Sequence, residues 1–126
     1  MIQAYAMEYT ENITNLRKER ERVLKELERL GSSTAARENE REGSPFGKRE
    51  EEADEVMELE KRLAMEKHLG ELLVEIEHAL EKYRSGTYGI CDRCGKGIEE
   101  GRLAALPQAS LCLNCKSKQT RESRGR

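Results

Sequence analysis

Four cysteines in the C-terminal third of the chain constrain its fold more than any other feature of the sequence. They follow the pattern Cys91-x2-Cys94-x17-Cys112-x2-Cys115. Each CxxC pair turns the backbone so that two sulfur atoms converge, and two pairs about 15–20 residues apart supply the four ligands of a tetrahedral zinc ion. Gly95 follows the first pair directly and suits the tight turn of a metal knuckle, where a side chain would crowd the backbone.

The zinc ion predicted at these cysteines is structural. With cysteine in all four positions no coordination site stays open for water, so we expect one Zn2+ and no metal chemistry. Two disulfides or four unligated thiols are the alternatives. Zinc is favoured because the N-terminal segment MIQAYAMEYT lacks the features of an export signal, and a reducing cytosol favours thiolate–metal bonds. We therefore expect a cytoplasmic protein.

The composition explains why a metal is needed. Of the 126 residues, 38% are charged and 36% hydrophobic, with no Trp and one Phe. These are too few large apolar side chains for a broad core, which favours an elongated fold or one that a metal holds together. The formal net charge of −2 gives no general attraction to nucleic acid. No run of about twenty apolar residues is present that could span a membrane.

A first helix is predicted from about residue 10 to residue 30. Its apolar residues recur at alternating steps of three and four, which is typical of a coiled-coil seam. They are Ile13, Leu16, Val23, Leu27 and Leu30, with Arg20 in the same stripe. Gly31 is expected to end the helix. The stretch 31–49 holds small, polar and turn-forming residues without an apolar period, and is predicted to be a loop.

A second helix is predicted from about residue 50 to residue 83, with an acidic cluster at its positive dipole end. Its apolar stripe changes phase once and comprises Val56, Leu59, Leu63, Leu69, Leu72, Leu73, Ile76, Leu80 and Tyr83. Such a stripe needs a partner, so the first helix is expected to fold back upon it. The predicted fold is mainly α: an antiparallel coiled-coil hairpin (1–84), a small C4 zinc-ribbon-like module with a short C-terminal helix (85–118), and a basic flexible tail (119–126).

The sequence shows no catalytic constellation. It contains no serine–histidine pair, no glycine-rich phosphate loop and no carboxylate spacing that marks an acid/base pair. His68 and His78 lie on a charged helix, far in sequence from other ligand types, and are interpreted as solvated surface residues. We therefore predict that the chain is not an enzyme.

A longer pattern surrounds the cysteines. It comprises the segment YGICDRCGKGI at 88–98, Arg102-Leu103-x-Ala105-x-Pro107 and Leu111-Cys112-x-x-Cys115. This pattern resembles the zinc finger of the DksA/TraR family. The resemblance implies a bacterial transcription regulator that binds RNA polymerase and not promoter DNA. In that family the coiled coil enters the secondary channel of the polymerase, its acidic tip approaches the catalytic magnesium, and the zinc module steadies the protein on the rim.

The resemblance also implies where the tip lies. The family's tip motif has the form Asp-x-x-Asp-x-Ala, and its positions fall here on Lys48, Glu51 and Ala53. Lys48 reverses the first charge, and Asp54 supplies a second acid if the tip is shifted by a residue. The partner-binding tip is thus expected at Glu51, Ala53 and Asp54.

Alarmone binding is not carried over from the family. Basic positions that serve guanosine tetraphosphate in well-known members fall here on His68 and Glu75, although Lys116 matches. We expect a monomer with RNA polymerase as its partner, no membrane contact and no direct sequence-specific DNA binding.

Two other functions stay open. One is a zinc-finger nucleic-acid binder that uses Arg93, Lys96, Arg102 and the basic tail, in which residues 116–126 carry five positive charges and one negative. The other is a structural coiled-coil adaptor without polymerase contact. The finger lacks a recognition helix rich in Arg, Asn and Gln, and stacking aromatic residues are nearly absent, which favours the polymerase regulator over the nucleic-acid binder.

Overall fold

The computed structural model describes residues 8–42 and 49–124, with side chains described for 8–31 and 52–124. These residues are mainly helical, as predicted. The helices are α1 (Thr10–Glu42), α2 (Arg49–Ser85), α3 (Glu100–Ala105) and α4 (Leu113–Arg124). Extended pairing in the described residues is limited to one antiparallel bridge between Ile90 and Gly97. Within the same ranges, every helix is too short or too polar to cross a bilayer.

The first helix is longer than predicted, because α1 continues through Gly31 to Glu42. Gly31 has no positive φ, so it is not a left-handed helix cap. The residues after it include Ala35, Ala36 and several Arg and Glu, which are strong helix formers and offset the cost of about 1 kcal/mol of one glycine. The predicted loop is therefore wrong over residues 31–42, and residues 43–48 lie outside the described part of the chain.

The second helix follows its prediction closely, since α2 begins at Arg49 and ends at Ser85. Gly86 follows with a φ of +81°. The Gly86 N–H donates to the Tyr83 carbonyl at 3.2 Å, and the Thr87 N–H donates to the Lys82 carbonyl at 2.8 Å. This pair of bonds is a Schellman cap, which needs a left-handed residue after the last helical turn and explains the glycine there.

Contacts divide the chain into two units, one made of Met1–Arg20 with Val74–Arg126 and the other of Glu21–Leu73. In the first unit Arg20 lies 3.4 Å from Glu77, and Tyr9 lies beside Tyr88 farther along the chain. The start of α1 and the end of α2 therefore run antiparallel there. The buried apolar residues of this helix pair are Ile13, Leu16, Ile76, Ala79 and Leu80. The predicted boundary between residues 84 and 85 lies inside this unit.

Fewer apolar residues are buried in the second unit, among those whose side chains the structure describes. Val23, Leu30 and Leu69 are buried. Near the start of α2, in contrast, the large apolar side chains are about half exposed, and Val56, Met57 and Leu63 keep 49%, 57% and 55% of their accessible surface. The stripe predicted on α2 is therefore buried or half-buried from residue 69 onward and largely exposed before it.

The C-terminal helix is also longer than expected, because α4 has 12 residues and continues to Arg124. The tail predicted to be flexible from residue 119 is thus helical over 119–124. Cys115 is the buried residue of this helix. Arg121 and Arg124 lie in its last turn, where positive charge suits the helix dipole.

Candidate metal centre

The first cysteine pair lies on a tight hairpin. The Cys91 N–H donates to the Lys96 carbonyl at 2.8 Å, and the Gly95 N–H donates to the Cys91 carbonyl at 3.0 Å. Gly95 has a φ of +74°, which bears out the turn expected after the pair, because this conformation favours glycine. The hairpin brings the sulfur atoms of Cys91 and Cys94 together.

The second cysteine pair lies where α4 begins. The Cys115 N–H points at the Cys112 sulfur at 3.5 Å, and the Lys116 N–H donates to the Cys112 carbonyl at 2.9 Å. The first turn of a helix carries unpaired N–H groups and a partial positive charge, both of which stabilise a thiolate. The start of α4 therefore prepares this pair for metal binding.

The four sulfur atoms form one cluster, with all Sγ atoms within 4.8 Å of one another. None of the cysteines forms a disulfide. The Cys94 and Cys112 sulfurs are 3.8 Å apart, which equals the roughly 3.8 Å edge of a tetrahedron with Zn–S bonds of about 2.3 Å. Cys91, Cys112 and Cys115 are buried, while Cys94 is exposed. The donor set and spacing fit a single structural zinc ion.

The ionisation of the four thiols also favours a bound cation. Burial raises the pKa of the Cys91 thiol, but backbone hydrogen bonds from Cys94, Cys112 and Arg93 outweigh it and lower that pKa to about 6. Burial, together with hydrogen bonds and charge from the neighbouring thiols, raises the pKa of Cys115 to about 12. Four adjacent thiols cannot all ionise unless a positive ion lies between them, and zinc meets that condition.

Asp92, which lies between the first two cysteines, attaches the hairpin to α2. Asp92 Oδ1 accepts from Lys82 Nζ at 2.8 Å, and Asp92 Oδ2 lies 2.6 Å from His78 Nε2. Lys82 is only 6% exposed and also donates to the Ile90 carbonyl at 2.5 Å. Burial raises the pKa of Asp92, but the bonds from Lys82 and His78 outweigh it and lower that pKa. The metal hairpin is therefore ion-paired to the last turns of α2.

Arginine side chains hold the rest of the module together. Arg93 Nη2 donates to Glu122 Oε1 on α4 at 2.8 Å, which joins the first knuckle to the C-terminal helix. Arg102 Nε donates to the Leu111 carbonyl at 2.9 Å, just before the second cysteine pair. Two of the residues expected of a nucleic-acid binder thus have partners within the module, and Arg93 and Lys96 are both exposed.

Tyr88 joins the module to α2 and to the residue directly before α1. Its side chain is 2% exposed, and its hydroxyl donates to the Pro107 carbonyl at 2.8 Å. Its ring packs edge-on against Tyr9 and Tyr83, with centroid distances of 4.8 and 6.4 Å. Gly89 follows with a φ of +85°, and a Cβ there would lie 2.6 Å from the Tyr9 hydroxyl oxygen. The contact between the module and Tyr9, the residue directly before α1, therefore requires glycine at this position.

Some of these contacts differ from the interpretation of the sequence. His78 was expected to be a solvated surface residue, but it contacts Asp92 although its side chain is half exposed. The pairing of Lys82 with Asp92 spans ten residues, and no local spacing marks it. The sequence feature that could have indicated a partner for Lys82 is its position three residues after Ala79, on the edge of the apolar stripe of α2. His68 is exposed, as expected.

The predicted tip residues are distant from the four cysteines in sequence. They belong to the second unit, whereas the cysteines belong to the first. Since α2 begins at Arg49, Glu51, Ala53 and Asp54 fall in its first two turns. Ala53 and Asp54 are exposed. The side chain of Glu51 and all of Lys48 lie outside what the structure describes. The role of this segment stays a prediction.

The helices and the cysteine cluster together define a C4-type zinc-finger protein of mainly helical fold. The model of the prokaryotic DksA/TraR C4-type zinc finger matches residues 86–121. The zinc finger of this chain therefore belongs to that family, as the sequence resemblance predicted, and its cofactor is one zinc ion.

Two curated relatives illustrate the similarity. A protein of Aquifex aeolicus, named only as uncharacterized, is 53% identical over 51 residues, which are 40% of this chain and 35% of that protein. The RNA polymerase-binding transcription factor DksA of Haemophilus influenzae is 44% identical over 46 residues, 36% of this chain and 32% of that protein. The matched segments span about a third of the length of each relative.

One solved structure extends the similarity beyond the zinc finger. Transcription factor DksA2 from Pseudomonas aeruginosa is 25% identical to this chain, with a TM-score of 0.53. The alignment covers 88% of this chain and 87% of that one. The long helices as well as the finger therefore have counterparts in that transcription factor.

Proposed function

We propose that this chain is a zinc-containing transcription regulator that binds RNA polymerase, with Cys91, Cys94, Cys112 and Cys115 as the zinc ligands. The observation that carries the proposal is the alignment with transcription factor DksA2 over 88% of the chain. A relative with a similar segment is named as an RNA polymerase-binding transcription factor. We further propose that the chain acts as a monomer in the cytoplasm, where bacterial polymerase works.

The long helices are proposed to enter the secondary channel of the polymerase. Glu51, Ala53 and Asp54 would then lie near the catalytic magnesium, where carboxylates act on a cation or on the groups that bind it. The exposure of Ala53 and Asp54 supports this role, because a residue that contacts a partner must be accessible in the unbound chain. Polymerase contact would depend on the zinc module and the helix flanks, and regulation on the tip.

Retention of zinc-loaded chain by immobilised core RNA polymerase tests the binding step. We expect retention at physiological salt, and mass measurement in solution should give one chain per particle before mixing. A parallel mobility shift with promoter DNA should show no preference for any sequence. A chain that the polymerase does not retain would contradict the proposal and leave the structural adaptor as the better interpretation.

The channel position has a separate test, in which Fe2+ replaces the catalytic magnesium of the polymerase and generates hydroxyl radicals. Cleavage of the bound chain should concentrate around residues 50–54. The double variant E51Q/D54N should bind polymerase as the parent does but lose most of its effect in a purified initiation assay. The control E60Q/E71Q removes two exposed carboxylates farther along α2 and should regulate normally. Equal loss in both variants would show that the tip has no special role.

A further inference from the structure

One face of α4 carries positive charge alone. Lys118, Arg121 and Arg124 recur every three residues, so they lie within about a third of the helix circumference. All three side chains are exposed. We call these three residues the basic face. Asn114 and Ser117 lie between them and Leu113 at the edge.

The charges of the basic face are not neutralised by any acid among the residues whose side chains the structure describes. In the part of the chain that the structure describes, none of the three side chains has an acid within 4.0 Å. Glu122 is the one acid of α4, and its Oε1 accepts from Arg93 Nη2 at 2.8 Å instead. Some cations on the long helices have acidic partners three or four residues away, as Lys25 has Glu21 and Arg84 has Glu81. Like charges three residues apart repel each other, so this face is suited to an external anion.

We propose that the basic face binds the phosphate backbone of double-stranded DNA without regard to sequence. Duplex DNA presents about one negative charge per 1.7 Å, a density that an evenly spaced row of cations can neutralise. The face has no aromatic side chain on which the bases of a single strand could stack. Its polar residues Asn114 and Ser117 are donors of the kind that contact phosphate. The inference goes beyond the proposed function and holds whether or not the chain binds polymerase.

An acidic protein surface is the competing occupant, and the composition of the face argues against it. The core of a protein–protein interface is apolar and enriched in aromatic residues. Leu113 is the one large apolar side chain here, it lies at the edge of the face, and it keeps 59% of its accessible surface. A face of cations and small polar residues matches the uniform row of phosphates in duplex DNA better than it matches an acidic protein surface.

The proposal predicts weak and salt-dependent binding. Three cations that neutralise three phosphates give a slope of about −2.7 when the logarithm of the association constant is plotted against that of the salt concentration. Arg93 and Arg102 are held by Glu122 and the Leu111 carbonyl, so they should add little. Binding is therefore a property of α4 and not of the metal knuckles.

Fluorescence anisotropy of a labelled duplex of about 20 base pairs, titrated with the zinc-loaded full chain without polymerase, measures this slope. The variant R121Q/R124Q should lose more than about tenfold in affinity at low salt, and its slope should fall in magnitude by about 1.8. The matched control K61Q/K67Q removes two exposed charges from α2 and should bind like the parent. E122Q removes the acid and releases Arg93, so its affinity should rise. Zinc content and helicity are measured for each variant to verify folding.

Three results would overturn the proposal. The first is no binding of the duplex at low salt, and the second is equal affinity of R121Q/R124Q and the parent. The third is tighter binding of a polyglutamate chain of the same charge than of the duplex, which would assign the face to an acidic protein. Polymerase takes no part in these titrations, so their failure leaves the proposed function untouched.

Discussion

Gly89 lies at a position where any other residue would be strained. Its φ of +85° strains any other residue, and a Cβ would meet the Tyr9 hydroxyl oxygen at 2.6 Å. G89A should therefore destabilise the zinc-loaded protein by about 2 kcal/mol or more, measured by thermal or urea unfolding. The control G101A places its Cβ in open space within α3 and should leave stability within about 1 kcal/mol of the parent. Equal stability of both variants would show that Tyr9 does not pack against Gly89.

Lys82 is the one buried charged residue among those whose side chains the structure describes. Its ammonium group binds both Asp92 and the Ile90 carbonyl. K82M should destabilise the first unit by about 1–3 kcal/mol, because two acceptors lose a charged donor. K25M is the matched control, since Lys25 forms an exposed pair with Glu21 that contributes about 0.5 kcal/mol or less. A loss in K82M no larger than in K25M would mean that the Asp92 ion pair adds nothing to stability.

At the scale of elements, a glycine within a helix and a glycine that ends a helix should respond oppositely to substitution by alanine. Gly31 is helical, and a Cβ there meets nothing within 4 Å. G31A should therefore stabilise the protein by up to about 1 kcal/mol. Gly86 caps α2 with a φ of +81°, so G86A should destabilise it by a similar amount. The two changes in stability, which have opposite signs, can be measured from the midpoints of urea unfolding. Destabilisation by G31A would indicate that α1 ends at Gly31, as the sequence suggested.

The helices themselves were largely predictable from the sequence, and their ends were less so. The three-and-four spacing of Ile13, Leu16, Val23 and Leu30 marks the buried side of α1, because only a helix places those residues on one face. Gly31 was predicted to end a helix and the basic tail to be flexible, but Gly31 and residues 119–124 lie in helices. A glycine or a cluster of charges disfavours a helix only locally, and neighbouring helix-forming residues outweigh it.

The metal centre was predictable for a different reason from its surroundings. The cysteine spacing is a local pattern with a direct geometric meaning. The contacts of Asp92 with Lys82 and His78, of Arg93 with Glu122, and of Tyr88 with Tyr9 join residues that are distant in sequence. No periodicity encodes such pairs, so they become visible only in the folded chain.

At the scale of the whole molecule, removal of zinc should disrupt the packing of the zinc module much more than the helical structure. Chelation leaves four adjacent thiols without a cation, and so small a module cannot keep its two knuckles together without the metal. The near-ultraviolet circular dichroism of the packed tyrosines should be lost, while much of the far-ultraviolet helical signal remains. C112S/C115S should behave like the chelated protein, whereas the exposed substitution S123A should not. A tyrosine signal that survives chelation would contradict a structural role for zinc.

The division of the chain into two units has a consequence for how the protein can be altered. The unit that holds the cysteines is built from two stretches separated by residues 21–73, so the second unit is topologically an insertion within the first. A fragment that begins at Tyr88 would keep every cysteine but lose Tyr9, Lys82 and Tyr83, and could not be excised intact. Matched deletions of whole helical turns from α1 and α2 within residues 21–73, in contrast, would shorten the second unit and remove no residue of the first. The length of the second unit can therefore change among related chains without any change to the residues that surround the metal centre.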